Sequence, residues 1–100
     1  MSGSFSELLT EDMRLVILRC LNEDRCYSLN DSMLHSMLNV LGHHCSRDKV
    51  RTELAWLADQ GLVTVSVVVN VQVATLTERG ADVAVGRATV PGVKRPRPGA

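Results

Sequence analysis

The sequence has 100 residues, of which 11 are Lys or Arg and 11 are Asp or Glu, so its formal net charge is zero. A chain of this length forms one domain with a modest core, and it is too small for a roomy catalytic cleft. The only aromatic residues are Phe5, Tyr27 and Trp56, so the core must be aliphatic. The neutral net charge does not indicate a nucleic-acid partner.

The first predicted helix runs from a cap at Thr10 to Leu21 and follows a flexible N-terminus, residues 1–9. A Thr side chain can accept a hydrogen bond from a free backbone N–H, and the two acidic residues that follow suit the positive end of the helix dipole. From Met13 onward, apolar residues occupy most of the helix circumference. Such a helix is usually buried on more than one side, so the pattern favours a homodimer, although a central place in the core explains it too.

Two further helices are predicted, with a short link between them. Residues Asn22–Ser28 are polar and predict a loop, after which Asn30 can cap an amphipathic helix that ends at Gly42. Its expected apolar face comprises Met33, Leu34, Met37, Leu38, Val40 and Leu41. Ser46 can cap the next helix, and Gly61 can take the left-handed conformation that ends it. Two helices with so brief a joint form a candidate helix-turn-helix.

The outer face of the helix between Ser46 and Gly61 has residue types that could meet a DNA groove. Small side chains at Thr52 and Ala55 allow another surface to come close, and flanking cations could reach phosphates. A solvated helix face has the same pattern and is the alternative interpretation. The surroundings of the helix must decide between the two.

After this helix the pattern changes to that of strands. Leu62–Val69 and Val71–Leu76 are rich in Val and Thr, and Asn70 between them tolerates a positive φ, so we predict an antiparallel hairpin centred near Asn70. The hairpin carries no charged residue, so an uncovered edge would be prone to aggregate, and we expect another element or a partner to shield it.

The last predicted helix is short, and a basic tail follows it. Thr77 can cap the helix Glu78–Val85, which is interrupted by Gly80. Residues 10–86 would then form one domain. Residues 87–100 are proline-rich and basic, and we predict a disordered tail there.

No pattern predicts chemistry. His43, His44 and Cys45 stand together, but the chain lacks the repeated tight Cys or His spacings of zinc sites, so we expect no metal and no cofactor. There is neither a nucleophile constellation nor a Gly-rich phosphate loop, and we expect no enzyme activity. The odd number of cysteines favours a reducing compartment, and no stretch could span a membrane, so a cytoplasmic location without membrane contact is expected.

Three helices, a hairpin and a further helix follow the order of a winged helix, and particular segments resemble that group. LADQGLVTV is similar to the join between recognition helix and wing, and LTERG to the segment that leaves the wing in arsenic-repressor-like regulators. SRDKVRTELAWLADQGLVTV, ATLTERGADVA and GRATVPGVKRPRPG resemble a family of small Mu-like phage and prophage winged-helix proteins. The resemblance covers nearly the whole chain and implies a mainly α fold with a β-hairpin, that is, a winged helix-turn-helix. It further implies a phage gene among late functions near packaging and morphogenesis, and a protein in the host cytoplasm.

The winged-helix pattern, carried onto this chain, makes Ser46–Gln60 the recognition helix and Asn70 the wing tip. Arg47, Lys49 and Arg51 would then contact phosphates of double-stranded DNA, and Thr52 would face base edges. The wing departs from the pattern because it has no Arg or Lys. The basic residues of the tail, Lys94, Arg95 and Arg97, could take its place.

Two functions therefore remain open. One is a dimeric DNA-binding protein, acting as a transcriptional regulator or DNA-packaging accessory. The other is a winged helix used for protein–protein contact, as a phage assembly adaptor or a binder of a host factor. The helix-turn-helix joint and the basic tail favour the first function, whereas the neutral charge and the uncharged wing favour the second.

Overall fold

The computed structural model describes residues 4–98, which form four helices and a three-stranded antiparallel sheet. In chain order the elements are α1 (Phe5–Glu23), β1 (Ser28–Asn30), α2 (Asp31–Val40), α3 (Arg47–Asp59), β2 (Val63–Val68), β3 (Val71–Leu76) and α4 (Glu78–Ala84). The sheet order is β1-β3-β2. The fold is mainly helical, and its element order is consistent with a winged helix-turn-helix. Within residues 4–98, no helix is both long and apolar enough to cross a bilayer.

The predictions of α2, α3, α4 and the hairpin are confirmed. The side chains of Asn30, Ser46 and Thr77 cap α2, α3 and α4, each by accepting a hydrogen bond from a backbone N–H three residues later. Gly61 ends α3 with a φ of 75°. The turn between β2 and β3 lies at Val69 and Asn70, where the hairpin was predicted to be centred.

The predicted start of α1 at Thr10 is wrong. Ser4 is the cap, since its side chain accepts a hydrogen bond from the backbone N–H of Glu7, and Thr10 lies inside the helix. The predicted flexible N-terminus, residues 1–9, therefore contains the first turns of α1 from Phe5 onward. Residues 1–3 lie outside the described residues.

A third strand, β1, replaces the end of the predicted loop Asn22–Ser28. Its three residues pair antiparallel with β3, with Ser28 opposite Thr75 and Leu29 opposite Ala74. This pairing covers one edge of β3 and places Leu29 against the core. A strand of three residues is too short to show an alternating pattern in sequence. β1 and β2 are the two edge strands of the sheet.

The core is aliphatic, as predicted, and lies among α1, α2, α3 and the sheet. Its fully buried members include Leu18 and Leu21 of α1, Leu34 of α2 and Leu54 of α3. The apolar face of α2 is narrower than predicted. Leu34 and Leu38 are buried and Met37 packs against the core, whereas Met33, Val40 and Leu41 are exposed.

The C-terminal segment also differs from the prediction of a disordered tail over residues 87–100. Residues 87–98 contain no helix or strand, yet Val90 is buried in the core and Val93 packs against it. The backbone N–H of Lys94 donates to the carbonyl of Glu11 at 3.2 Å. The tail is thus held along α1 by scattered valines, which composition alone does not reveal. Residues 99–100 lie outside the described part of the chain.

Candidate functional site

The outer face of α3 has the composition that the sequence predicted. Asp48, Thr52, Ala55 and Asp59 are exposed. The Thr52 hydroxyl donates to the backbone carbonyl of Asp48 at 3.0 Å, so its proton is used within the helix. An oxygen lone pair remains free to accept a hydrogen bond from an incoming group.

Arg47 and Arg51 both bind one buried carboxylate, that of Asp31. The Arg51 Nε lies 2.6 Å from Asp31 Oδ2, and the Arg47 Nη2 lies 3.1 Å from Oδ1. The Asp31 side chain is 0% exposed, whereas those of Arg47 and Arg51 remain 44% and 34% exposed. Burial by itself would raise the pKa of Asp31, but the hydrogen bonds from the two guanidinium groups lower it below its usual value. The carboxylate is therefore ionised and neutralises charge on α3.

Asp31 joins α2 and α3. It is the first residue of α2, where a negative charge also suits the helix dipole. Its two partners stand four residues apart on α3, so both side chains leave the helix on the same side. Sequence reasoning missed this role. Two features of the sequence could have indicated it: an acidic residue directly follows the Asn30 cap, and Arg47 and Arg51 are four residues apart.

Lys49 is likewise paired with a buried acid. Its Nζ lies 2.9 Å from Glu53 Oε2, and the other oxygen, Oε1, lies 2.6 Å from Arg14 Nε. Burial would raise the pKa of Glu53, but these two cations lower it below its usual value. The Arg14 guanidinium also stacks on Trp56 at 3.8 Å from the ring centroid and donates to the Gly92 carbonyl. This cluster ties α1, α3 and the C-terminal segment together.

The tip of the β2–β3 hairpin is apolar and backbone-strained. Val69 and Asn70 have φ values of 49° and 64°, the left-handed region that β-branched residues rarely adopt. Val67, Val68 and Val69 are all exposed, with Val69 at 87%. The Arg51 Nη2 donates to the Asn70 carbonyl at 2.9 Å, which holds the tip toward α3. Arg51 is thus bound to both Asp31 and the tip of the hairpin.

The basic residues of the tail lie along α1. The Lys94 Nζ is 3.2 Å from Asp12 Oδ1, and His43 binds the other Asp12 oxygen at 2.7 Å. Arg95 and Arg97 line a groove that Arg19 also borders. No hydrogen bond or ion pair of residues 4–98 joins these three tail cations to α3.

The three histidine side chains form hydrogen bonds within the domain, and the three cysteines are unpaired. His43 binds Asp12, His44 bonds to Asn39, and His35 bonds to the Cys45 carbonyl at 2.7 Å. Within residues 4–98, no three His, Cys, Asp or Glu side chains are grouped to hold a metal ion. Cys20, Cys26 and Cys45 are free thiols. Burial raises the pKa of Cys20 and Cys45, so neither is activated as a nucleophile.

Two known proteins are similar to this chain over most of its length. The uncharacterised protein gp26 of Escherichia phage Mu is 55% identical over 93 residues, which are 93% of this chain and 96% of the relative. An uncharacterised protein of Haemophilus influenzae is 47% identical over 77 residues, covering 76% of this chain and 74% of the relative. No family model matches the sequence.

Proposed function

We propose that this chain, which belongs to the family of phage Mu gp26, is a winged helix-turn-helix phage protein that acts by binding another protein. The β2–β3 hairpin is the wing, and its tip is the contact surface. The partner is a phage assembly protein or a host factor with an apolar pocket. Residues 87–98, held along α1, complete the domain.

The charges of α3 support protein contact over DNA contact. Asp31 forms ion pairs with Arg47 and Arg51. Glu53 forms ion pairs with Lys49 and with Arg14 of α1. Exposed Asp48 and Asp59 add negative charge to the same face. Phosphate contacts supply most of the affinity for DNA, and a face so nearly neutral supplies few of them.

The observation that carries the proposal is the exposed, left-handed Val69. A left-handed conformation costs an L-residue about 1–2 kcal/mol, and Gly or Asn would avoid most of that penalty. Its side chain is 87% exposed, so burial within residues 4–98 does not offset the strain. Strain of this kind persists at binding sites, where the residue gains contacts with a partner. Val67 and Val68 extend the same apolar tip.

Binding to double-stranded DNA is the second candidate, as a regulator or packaging accessory. One observation favours it: Arg47, Lys49 and Arg51 remain 44%, 40% and 34% exposed while their carboxylate partners are buried. The unused N–H groups of Arg47 and Lys49 can still reach a phosphate. Thr52 would lie beside them on α3, and Lys94, Arg95 and Arg97 would contribute from the tail along α1.

A copurification experiment with two variants tests the proposal. Tagged wild-type protein, Val69→Asn and Lys49→Gln are expressed in host cells during phage growth, and the extracts are treated with nuclease. Protein contact through the wing predicts a species that copurifies with wild type and with Lys49→Gln and is lost from Val69→Asn. Equal recovery of that species with Val69→Asn would refute the role of the tip.

A salt series with duplex DNA tests the second candidate on the same proteins. DNA contact predicts saturable binding that weakens as salt rises, and a salt slope reduced by about 1 in Lys49→Gln. Protein contact predicts no saturable binding even at low salt. Lys49 is the better residue to change, because the Gln side chain can still donate a hydrogen bond to Glu53, which keeps Arg14 as its counter-ion.

A further inference from the structure

We infer that α1 is the interface of a homodimer in which the α1 helices of two copies pack antiparallel. The first turns of α1 project beyond the core and leave Phe5, Leu8 and Leu9 exposed, with Phe5 at 76%. Residues three or four apart share a helix face, so these three side chains form one apolar patch. The patch makes little contact with the rest of residues 4–98. A helix end that exposes three large apolar side chains to solvent is unfavourable in a monomer.

The same face of α1 continues into an apolar groove between α1 and α2. Steps of three and four residues lead from Leu9 through Asp12 to Val16 and Cys20. The groove has a volume of about 550 Å³, and its walls are Val16, Arg19, Cys20, Glu23, Ser36, Met37, Val40 and Leu41. Val40 and Leu41, at the end of α2, are 85% and 57% exposed. The patch and the groove are thus two parts of one surface.

A second copy fits this surface because the patch and the groove lie at opposite ends of α1. In a two-fold dimer the contacts are reciprocal, so each patch enters the groove of the other copy. Two helices that span Phe5–Glu23 and cross at their midpoint bring Leu8 beside Cys20 of the second copy. Phe5 then meets the end of its α1, near Val40 and Leu41.

The charges on this face are complementary in the antiparallel arrangement. Glu23 of each copy lies at the N-terminus of the other α1, where a negative charge is favourable. Arg19 also lies on this face, has no ion pair within residues 4–98, and comes within a helical turn of Asp12 of the second copy. Asp12, near the axis, is already neutralised by His43 and Lys94. A parallel arrangement would lose the first two of these contacts.

Sedimentation equilibrium of the full chain at micromolar concentrations tests the dimer. Leu8→Glu changes the patch, Val40→Lys changes the groove, and Val69→Lys is the matched control because it alters an equally exposed valine at the wing tip. Wild type and Val69→Lys are expected to be dimers. Because each substitution acts twice in a two-fold interface, Leu8→Glu and Val40→Lys should each weaken dimerisation roughly 100-fold or more. All three residues are exposed, so the far-UV circular dichroism of each variant should match that of wild type.

Three outcomes would overturn the inference. A wild-type monomer at these concentrations would leave the surface to a different partner. A dimer that persists in both Leu8→Glu and Val40→Lys would place its interface elsewhere. Dissociation of Val69→Lys would place it at the wing and the free edge of β2. The dimer does not depend on the proposed wing contact, since the control variant removes that contact and leaves α1 unchanged.

Discussion

The ion pairs of Asp31 predict an unequal and non-additive loss of stability when its arginines are removed. Breaking a buried ion pair costs about 3–5 kcal/mol, and less when the partner is partly exposed. Arg51 makes the shorter contact and also holds the tip of the hairpin, whereas Arg47 makes one contact at 3.1 Å. While one arginine remains, Asp31 keeps a counter-ion. We therefore expect a loss of about 2 kcal/mol for Arg51→Ala and about 1 kcal/mol for Arg47→Ala.

The double variant should lose more than the sum of the two. With both arginines gone, Asp31 is a buried carboxylate without a counter-ion, and we expect a loss of about 4 kcal/mol. Asp31→Asn in that background should restore about 2 kcal/mol, because a neutral amide costs less to bury than an ionised carboxylate. Such a rescue depends on charge and distinguishes the ion pairs from simple packing.

Urea unfolding at neutral pH, followed by circular dichroism, measures these changes. Each kcal/mol should lower Tm by about 4–8 °C in a domain of this size. Arg79→Ala is the control: Arg79 is exposed, has no ion pair within residues 4–98, and should change stability by no more than about 0.5 kcal/mol. A double variant no less stable than Arg79→Ala, or one further destabilised by Asp31→Asn, would refute the role of Asp31.

Three further outcomes are expected. Ion pairs depress the pKa of Asp31 and Glu53, so the stability that these carboxylates contribute is complete above the ordinary carboxyl pKa of about 4 and is lost as pH falls through the lower folded values. The urea midpoint should fall steeply with pH in that acid range, and less steeply in Asp31→Asn. Equal pH dependence in wild type and Asp31→Asn would count against the ion pairs of Asp31. Gly80→Ala should lose about 3 kcal/mol in urea unfolding, because an added Cβ would lie 2.0 Å from the Leu62 carbonyl oxygen, and an unchanged Tm would contradict this packing. Val69→Asn should gain about 1 kcal/mol by relieving backbone strain, and a destabilised variant would show that Val69 is not strained.

Much of the fold could be predicted because its signals are local. A cap such as Ser46 bonds to a backbone N–H three residues later, and a left-handed Gly61 ends the helix that it follows. The hairpin turn at Asn70 depends on its own backbone angles. The start of α1 was missed because Ser4 and Thr10 are both acceptable caps. The sequence likewise identified the exposed face of α3, since that face is set by helical spacing.

The site could not be predicted to the same degree because its partners are distant in sequence. Arg51 and Asp31 are 20 residues apart, and Arg14 and Glu53 are 39 apart. By itself the sequence determined where α2, α3 and α4 lie and which cations lie on α3, because hydrogen bonds within a few residues define those elements. Only the tertiary structure decided that buried carboxylates neutralise those cations and that the C-terminal valines close the core. Coulomb attraction and apolar burial act between groups that become neighbours only when the elements pack.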